Sequence, residues 1–262
     1  MTWKKTLGRV AFINCEPLFH GLDDMWKILP APPSWLTGHL LRKDCIIAPI
    51  PAADYAQYHS ELLLIPNIAI SSKGEVGSVL LLGNCRIEDM KTIALPSDSA
   101  TSVALLKYLL KLEKHDPNYV EMGPDLESML AKCDGCLLIG DRALEAANTN
   151  PELVRMDLGK EWKNSTNSPM VFGVFAARRD SPKNDVKVAY EALMERLEVF
   201  ENDLDVRGEI IAASMQKTNQ SIERLERYFG EVINRMDSED MNGLTKFLSS
   251  ACGLNESVEL AW

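Results

Sequence analysis

The stretch "LPSDSATSVALLKYLL", residues 95–110, sets a run of small polar residues directly before a run of apolar helix formers. Ser97, Asp98, Ser99, Thr101 and Ser102 place five hydrogen-bonding side chains within six positions. The preceding "KTIALP" (91–96) reads as a strand, so the join is a strand end feeding a helix start. The free N–H groups of a first helical turn attract anions, helped by the helix dipole. Ser and Thr hydroxyls add donors that rotate to fit a carboxylate. The plainer alternative is that Ser99 or Thr101 simply caps the helix.

The pattern repeats outward from this stretch. Candidate strands are "GRVAFI" (8–13), "CIIAPI" (45–50), "ELLLIP" (61–66) and "GSVLLLG" (77–83), followed by "NYVEM" (118–122), "GCLLIG" (135–140) and "MVFGVFAA" (170–177). Helical stretches fall between them at 34–41, 102–112 and 125–132. Several of the strands are continuous aliphatic runs, as expected where helices cover both faces of a sheet. This predicts an α/β fold with mostly parallel sheets. From Asp185 onward the chain reads as successive amphipathic helices. In "SIERLERYFGEVINRM", Ile222, Leu225, Phe229, Val232 and Met236 follow helical spacing.

Two segments beside extended apolar runs, 81–92 and 164–175, are candidate crossings. They divide the chain into one lobe from both ends (1–83 and 176–262) and one from the middle (84–175), with a cleft between, where small-molecule sites collect. Three more strand-end motifs point into such a cleft. In "AFINCEPLF" (11–19), Asn14 ends a strand ahead of Pro17, which suits a helix start. In "GEVGSVLLL" (74–82), Gly77 permits close backbone approach and Ser78 offers a hydroxyl. In "LLIGDRAL" (137–144), Gly140 turns the chain and Asp141 opens the next helix, which an N-cap Asp would also do.

The whole-chain numbers narrow the function. The net charge of −10 over 262 residues repels a phosphate backbone, so a nucleic-acid partner is not expected. The first residues lack a signal-peptide apolar region, and no run is long enough to span a membrane, so a cytoplasmic protein with no membrane partner is expected. Six cysteines at irregular spacing read as buried reduced thiols. The lone "CDGC" (133–136) lacks the second pair or histidine that a structural zinc needs, so no metal and no cofactor is expected. Classical nucleophile, P-loop and dinucleotide motifs are absent, and His20, His39, His59 and His115 make no metal spacing. Nothing in the sequence sets an oligomeric state.

Taken in order, "GRVAFINCEPLFHGL", "ISSKGEVGSVLLL", "SDSATSVALLKYLL", "LLIGDRAL" and "SPMVFGVFAARRD" resemble the chorismate dehydratase family of the futalosine route to menaquinone. The resemblance covers residues 8–180. It implies a two-lobed fold like that of type-II periplasmic solute-binding proteins, with a cleft between the lobes and a helical C-terminal region. It also implies a lyase that dehydrates chorismate, a dicarboxylate, to 3-[(1-carboxyvinyl)oxy]benzoate. Carried over residue by residue, Asn14 and Ser78 become catalytic. Gly77, Ser99, Thr101, Ser102, Gly140 and Asp141 become substrate-binding. No protein base is evident, and the enolpyruvyl carboxylate of the substrate is one candidate acceptor; Asp141 and His20 are the protein alternatives.

The chain departs from the family pattern in four places. Ala100 stands where the family has Arg, and Ile46-Ile47-Ala48 lacks an acid. Ser165-Thr166-Asn167-Ser168-Pro169 replaces Trp-Thr-Gly-Leu-Pro, and Phe175 replaces Trp. Lys73, Arg9 or Arg142 are the candidates to compensate for the missing guanidinium. Two other readings share the fold: a non-catalytic binding protein or sensor for a small carboxylate, and a related cyclase acting on dehypoxanthine futalosine.

Overall fold

Aliphatic runs with both faces covered become the strands of two sheets. The computed structural model describes residues 2–262. Its strands are β1 (Thr6–Val10), β2 (Lys27–Ala31), β3 (Ala48–Pro51), β4 (Leu62–Ser72), β5 (Val79–Gly83), β6 (Thr92–Pro96), β7 (Asn118–Met122), β8 (Gly135–Ile139), β9 (Val154–Asp157), β10 (Met170–Arg178) and β11 (Ile233–Arg235). Its helices are α1 (Glu16–Phe19), α2 (Pro33–Leu41), α3 (Ala52–Tyr58), α4 (Ala100–Leu112), α5 (Leu126–Leu130), α6 (Gly140–Thr149), α7 (Leu158–Thr166), α8 (Lys183–Asn202), α9 (Leu204–Thr218), α10 (Ile222–Glu231) and α11 (Ser238–Ser250). Among the described residues no helix is long and apolar enough to cross a membrane.

One sheet has the order β11-β4-β10-β3 and the other β7-β6-β8-β5-β9. The parallel pair β1-β2 adjoins β3 through the Leu7–Ile47 bridge and the Gly8 N–H to Ile47 carbonyl bond of 2.8 Å. The four-stranded sheet is antiparallel throughout. In the five-stranded sheet β6 runs parallel to β7 and β8, while β5 runs antiparallel to β8 and β9. The expectation of mostly parallel sheets is therefore corrected. A continuous aliphatic run records burial on both faces, and a covered antiparallel strand such as β10 has that too.

Sheet membership also moves the crossings. β5 pairs on both edges inside the middle sheet, and all of β10 lies in the four-stranded one. The chain thus passes between sheets at residues 73–78 and 167–169, not at 83/84 and 175/176. The return crossing is pinned by Trp162. It is fully buried, its indole N–H donates to the Pro169 carbonyl at 2.9 Å, and it packs on Tyr108 of α4 and edge-on against Phe247 of α11.

The stretch read as one helix over 221–236 is split. α10 ends at Glu231, and β11 then pairs antiparallel with β4. Without β11 that edge of β4 would present unpaired N–H and C=O groups, and satisfying them outweighs one more helical turn. Asp237 and Asp240 then form a capping box that starts α11.

Candidate functional site

Between the two sheets lies a cavity of about 580 Å³, counted to its open mouth, a size typical of small-molecule sites. Every strand end singled out in the sequence reaches it. Phe12 and Asn14 come from the turn after β1, Ser78 from the crossing into β5, Ser99, Thr101 and Ser102 from the start of α4, and Gly140 from the end of β8. Pro33, Pro49, Ile50, Pro51, Ile70, Val79, Phe172, Gly173 and Val232 supply most of the apolar wall. Among the described residues, no wall residue carries an ionisable side chain.

Of the polar wall groups, Ser78 and Thr101 are held by contacts that leave chemistry available. Asn14 is 9% exposed, and its Oδ1 is buried without a hydrogen-bond partner. The adjacent Ile13 N–H donates to Asp141 Oδ1 at 3.1 Å, which fixes the turn that presents Asn14. Ser78 Oγ accepts from the Tyr228 hydroxyl at 3.1 Å. Thr101 Oγ1 accepts from the Ala53 N–H at 3.1 Å, so its own proton is free to donate elsewhere.

At the start of α4 the capping alternative fails for both side chains considered. Ser99 occupies the cap position but makes no side-chain cap bond, and the Thr101 hydroxyl is engaged by α3. The Ala100 N–H is met instead by Ser34 Oγ of α2 at 3.3 Å. Among the described residues the Thr101 and Ser102 N–H groups have no protein acceptor. The first turn thus faces the cavity with N–H and O–H donors and no counter-anion in the wall.

Gly140 is needed as glycine. Its φ is +62°, and a Cβ there would lie 2.5–2.7 Å from three carbons of the Phe12 ring. Phe12 therefore lies directly against the end of β8. The bonds Ile13–Asp141, Ala53–Thr101 and Ser34–Ala100 tie the two sides of the cleft together beside the cavity.

Two residues expected to bind ligand stand elsewhere. Gly77 faces away from the cavity: its N–H donates to Asp157 Oδ2 at 2.7 Å, and a Cβ there would strike the Arg224 guanidinium. The left-handed backbone at Gly77, φ +65°, turns the chain just before β5, so Ser78 faces the cavity while Gly77 faces Asp157 and Arg224. Asp141 lies behind the wall and supports Ile13. His20 sits at the surface near Glu209, 3.7 Å away. The "CDGC" cysteines are free, and burial pushes the Cys136 thiol up to about 12.

Burial pushes the Asp141 carboxyl up to about 6, against the pull of the Ile13 N–H and of Lys217. A carboxyl whose folded pKa lies above its unfolded value favours the fold most when protonated. Stability contributed at this site therefore falls as pH rises from about 4 to about 6, and the charged group costs about 1–3 kcal/mol at neutral pH. Asn keeps an acceptor for Ile13 without the charge. Asp141→Asn should raise stability by about that amount at pH 7.5, with the gain vanishing near pH 4. Urea unfolding at the two pH values checks this, and an equal gain at both would rule out the charge as its cause.

A family profile described as menaquinone biosynthesis matches residues 5–252. The chain belongs to this menaquinone biosynthesis family. A relative in Thermus thermophilus, named chorismate dehydratase, is 31% identical over 264 residues and covers 95% of each chain. A solved protein of Archaeoglobus fulgidus superposes with a TM-score of 0.77 at 20% identity, covering 95% of this chain and 97% of that one. An alkanesulfonate-binding protein from Xanthomonas axonopodis pv. citri, solved bound to MOPS, gives 0.67 at 14%, covering 98% and 96%. At such identities these two show the fold, which is that of periplasmic binding proteins.

Within this family member, the departures from the expected pattern lie off the cavity. Ala100 lies on an outer groove with Val103, Ala104, Lys107, Tyr108 and Lys111. Phe175 is wholly buried in β10, and Ser165–Pro169 forms the end of α7 and the return crossing. The cations considered as substitutes are already paired: Lys73 with Asp237 at 2.6 Å, Arg9 with Glu16 at 2.6 Å, and Arg142 with Asp98 at 2.6 Å. Tyr228, which no motif marked, reaches the site from 150 residues beyond Ser78.

Proposed function

We propose that this chain dehydrates chorismate to 3-[(1-carboxyvinyl)oxy]benzoate in menaquinone biosynthesis, acting in the cytoplasm. The observation that carries this reading is a cavity between the two sheets lined by donors and apolar groups but by no titratable side chain, in a member of this family. The reaction removes the C3 proton and the C4 hydroxyl and leaves an aromatic ring. Its driving force is large, so the protein's task is to hold one reactive pose and to stabilise charge as it develops.

In this reading the first turn of α4, with Ser99, Thr101 and Ser102, holds a substrate carboxylate through N–H and O–H donors. Asn14 and Ser78 serve the reacting region. Phe12, Ile70 and Phe172 cover the ring and keep water away. The enolpyruvyl carboxylate takes the C3 proton, the freed electron pair forms the C3–C4 double bond, and the C4–O bond breaks as the leaving hydroxyl takes that proton from the carboxyl and departs as water. Asp141 and His20, both off the wall, take no proton. The cleft admits substrate by flexing at residues 73–78 and 167–169, and the two sheets move as the cores of two lobes.

The absent family arginine follows the same logic. A side chain at 100 starts on the outer face of α4, away from the cavity. Ala100→Arg should leave chorismate affinity unchanged in calorimetric titration; a clear rise would mean that the guanidinium reaches around the helix start.

The deciding experiment is incubation of purified protein with chorismate, followed by chromatography for the enolpyruvyl benzoate. Product formation is expected. Tight binding of chorismate or another carboxylate without product would favour a binding protein or sensor. Turnover of dehypoxanthine futalosine instead would favour the cyclase.

A further inference from the structure

Among the described residues, Tyr228 is the one side chain that hydrogen-bonds a proposed catalytic group from outside the strand-end motifs. It lies on α10, is fully buried, and its hydroxyl stands 3.1 Å from Ser78 Oγ. Among the described residues it has no other hydrogen-bond partner. A buried phenol proton has to be placed somewhere, and Ser78 Oγ is the acceptor within reach. Burial pushes the phenol well above its ordinary pKa, so it stays a donor. The ring is held from its other side by the Arg224 guanidinium, 5.6 Å from the centroid, which is itself fixed by Glu231 at 2.9 Å.

The consequence falls on Ser78. An isolated serine hydroxyl rotates and can either donate or accept. With one lone pair taken by Tyr228 and no protein acceptor for its own proton, Ser78 has only the cavity to donate into. Accepting a hydrogen bond also polarises the O–H and strengthens it as a donor.

We propose that Tyr228 is a positioning residue for the dehydration: its hydroxyl donates to Ser78 Oγ and so commits the Ser78 proton to the substrate oxygen on which negative charge builds. This rests on the reading of the chain as a dehydratase.

Tyr228→Phe removes one oxygen and keeps the ring packing. Measured with chorismate, kcat should fall on the order of tenfold with KM little changed, because the donor is set for the transition state more than for the bound substrate. In a Ser78→Ala background the same change should cost nothing further, since there is no hydroxyl left to orient. Wild-type kcat in Tyr228→Phe overturns the proposal alone, as does an equal loss in both backgrounds, which would mark a packing role. A wild-type protein that makes no product overturns the dehydratase reading and this inference with it.

Discussion

Asn14→Ala should lower kcat for chorismate by about 10²–10³-fold while leaving the protein as stable as the wild type or slightly more so. The two halves of this expectation share one cause. Asn14 Oδ1 is buried with no hydrogen-bond partner from the protein. An unsatisfied buried acceptor costs about 1–3 kcal/mol, so removing it offsets the packing lost with the amide. Once substrate fills the cavity, the same amide has a group to serve, and its loss appears in the rate. Steady-state kinetics and a thermal melt on one preparation test both halves. A fall in activity that tracks an equal fall in stability would make Asn14 a structural residue.

Gly140→Ala should destabilise the fold by about 2–4 kcal/mol. Two penalties add: a left-handed backbone at φ +62°, and a methyl group driven into the Phe12 ring. Because Phe12 belongs to the turn that carries Asn14, the ring's retreat also shifts the site, and activity should fall further than stability alone accounts for. Urea unfolding measures the first effect. A change under about 0.5 kcal/mol would show that the ring yields freely and that the glycine is not required.

The parts of the site legible in the sequence were those set by local turn chemistry. Strand ends and helix starts use Asn, Ser, Thr and Gly for reasons that operate within a few residues, so Asn14, Ser78, Gly140 and the start of α4 could be placed in advance. What failed was the direction in which a side chain points. Gly77 and Ser78 are chain neighbours, but the left-handed turn at Gly77, φ +65°, sets them on opposite sides. Ala100 shares a helical turn with Ser99 and Ser102 but lies on its outer side. Strand direction was also illegible, because burial on both faces gives the same aliphatic run to a parallel or an antiparallel strand. β11 was hidden for a related reason: Val232 and Met236 satisfy a helical spacing while flanking a three-residue strand. Tyr228 carried no signal, since only the docking of α10 brings it to Ser78.

The uncharged wall has a further consequence, in the timing of the catalytic cycle. An enzyme whose own base keeps the proton it removes has to pass that proton to solvent before the next turnover. In the proposed reaction the proton that is moved starts on the substrate, passes through the substrate's own carboxylate and leaves in the released water. Nothing in the cavity needs resetting, so the protein is ready as soon as it empties. The interval between turnovers is then governed by how fast the cross-cleft bonds at Ser34, Ala53 and Asp141 part and re-form.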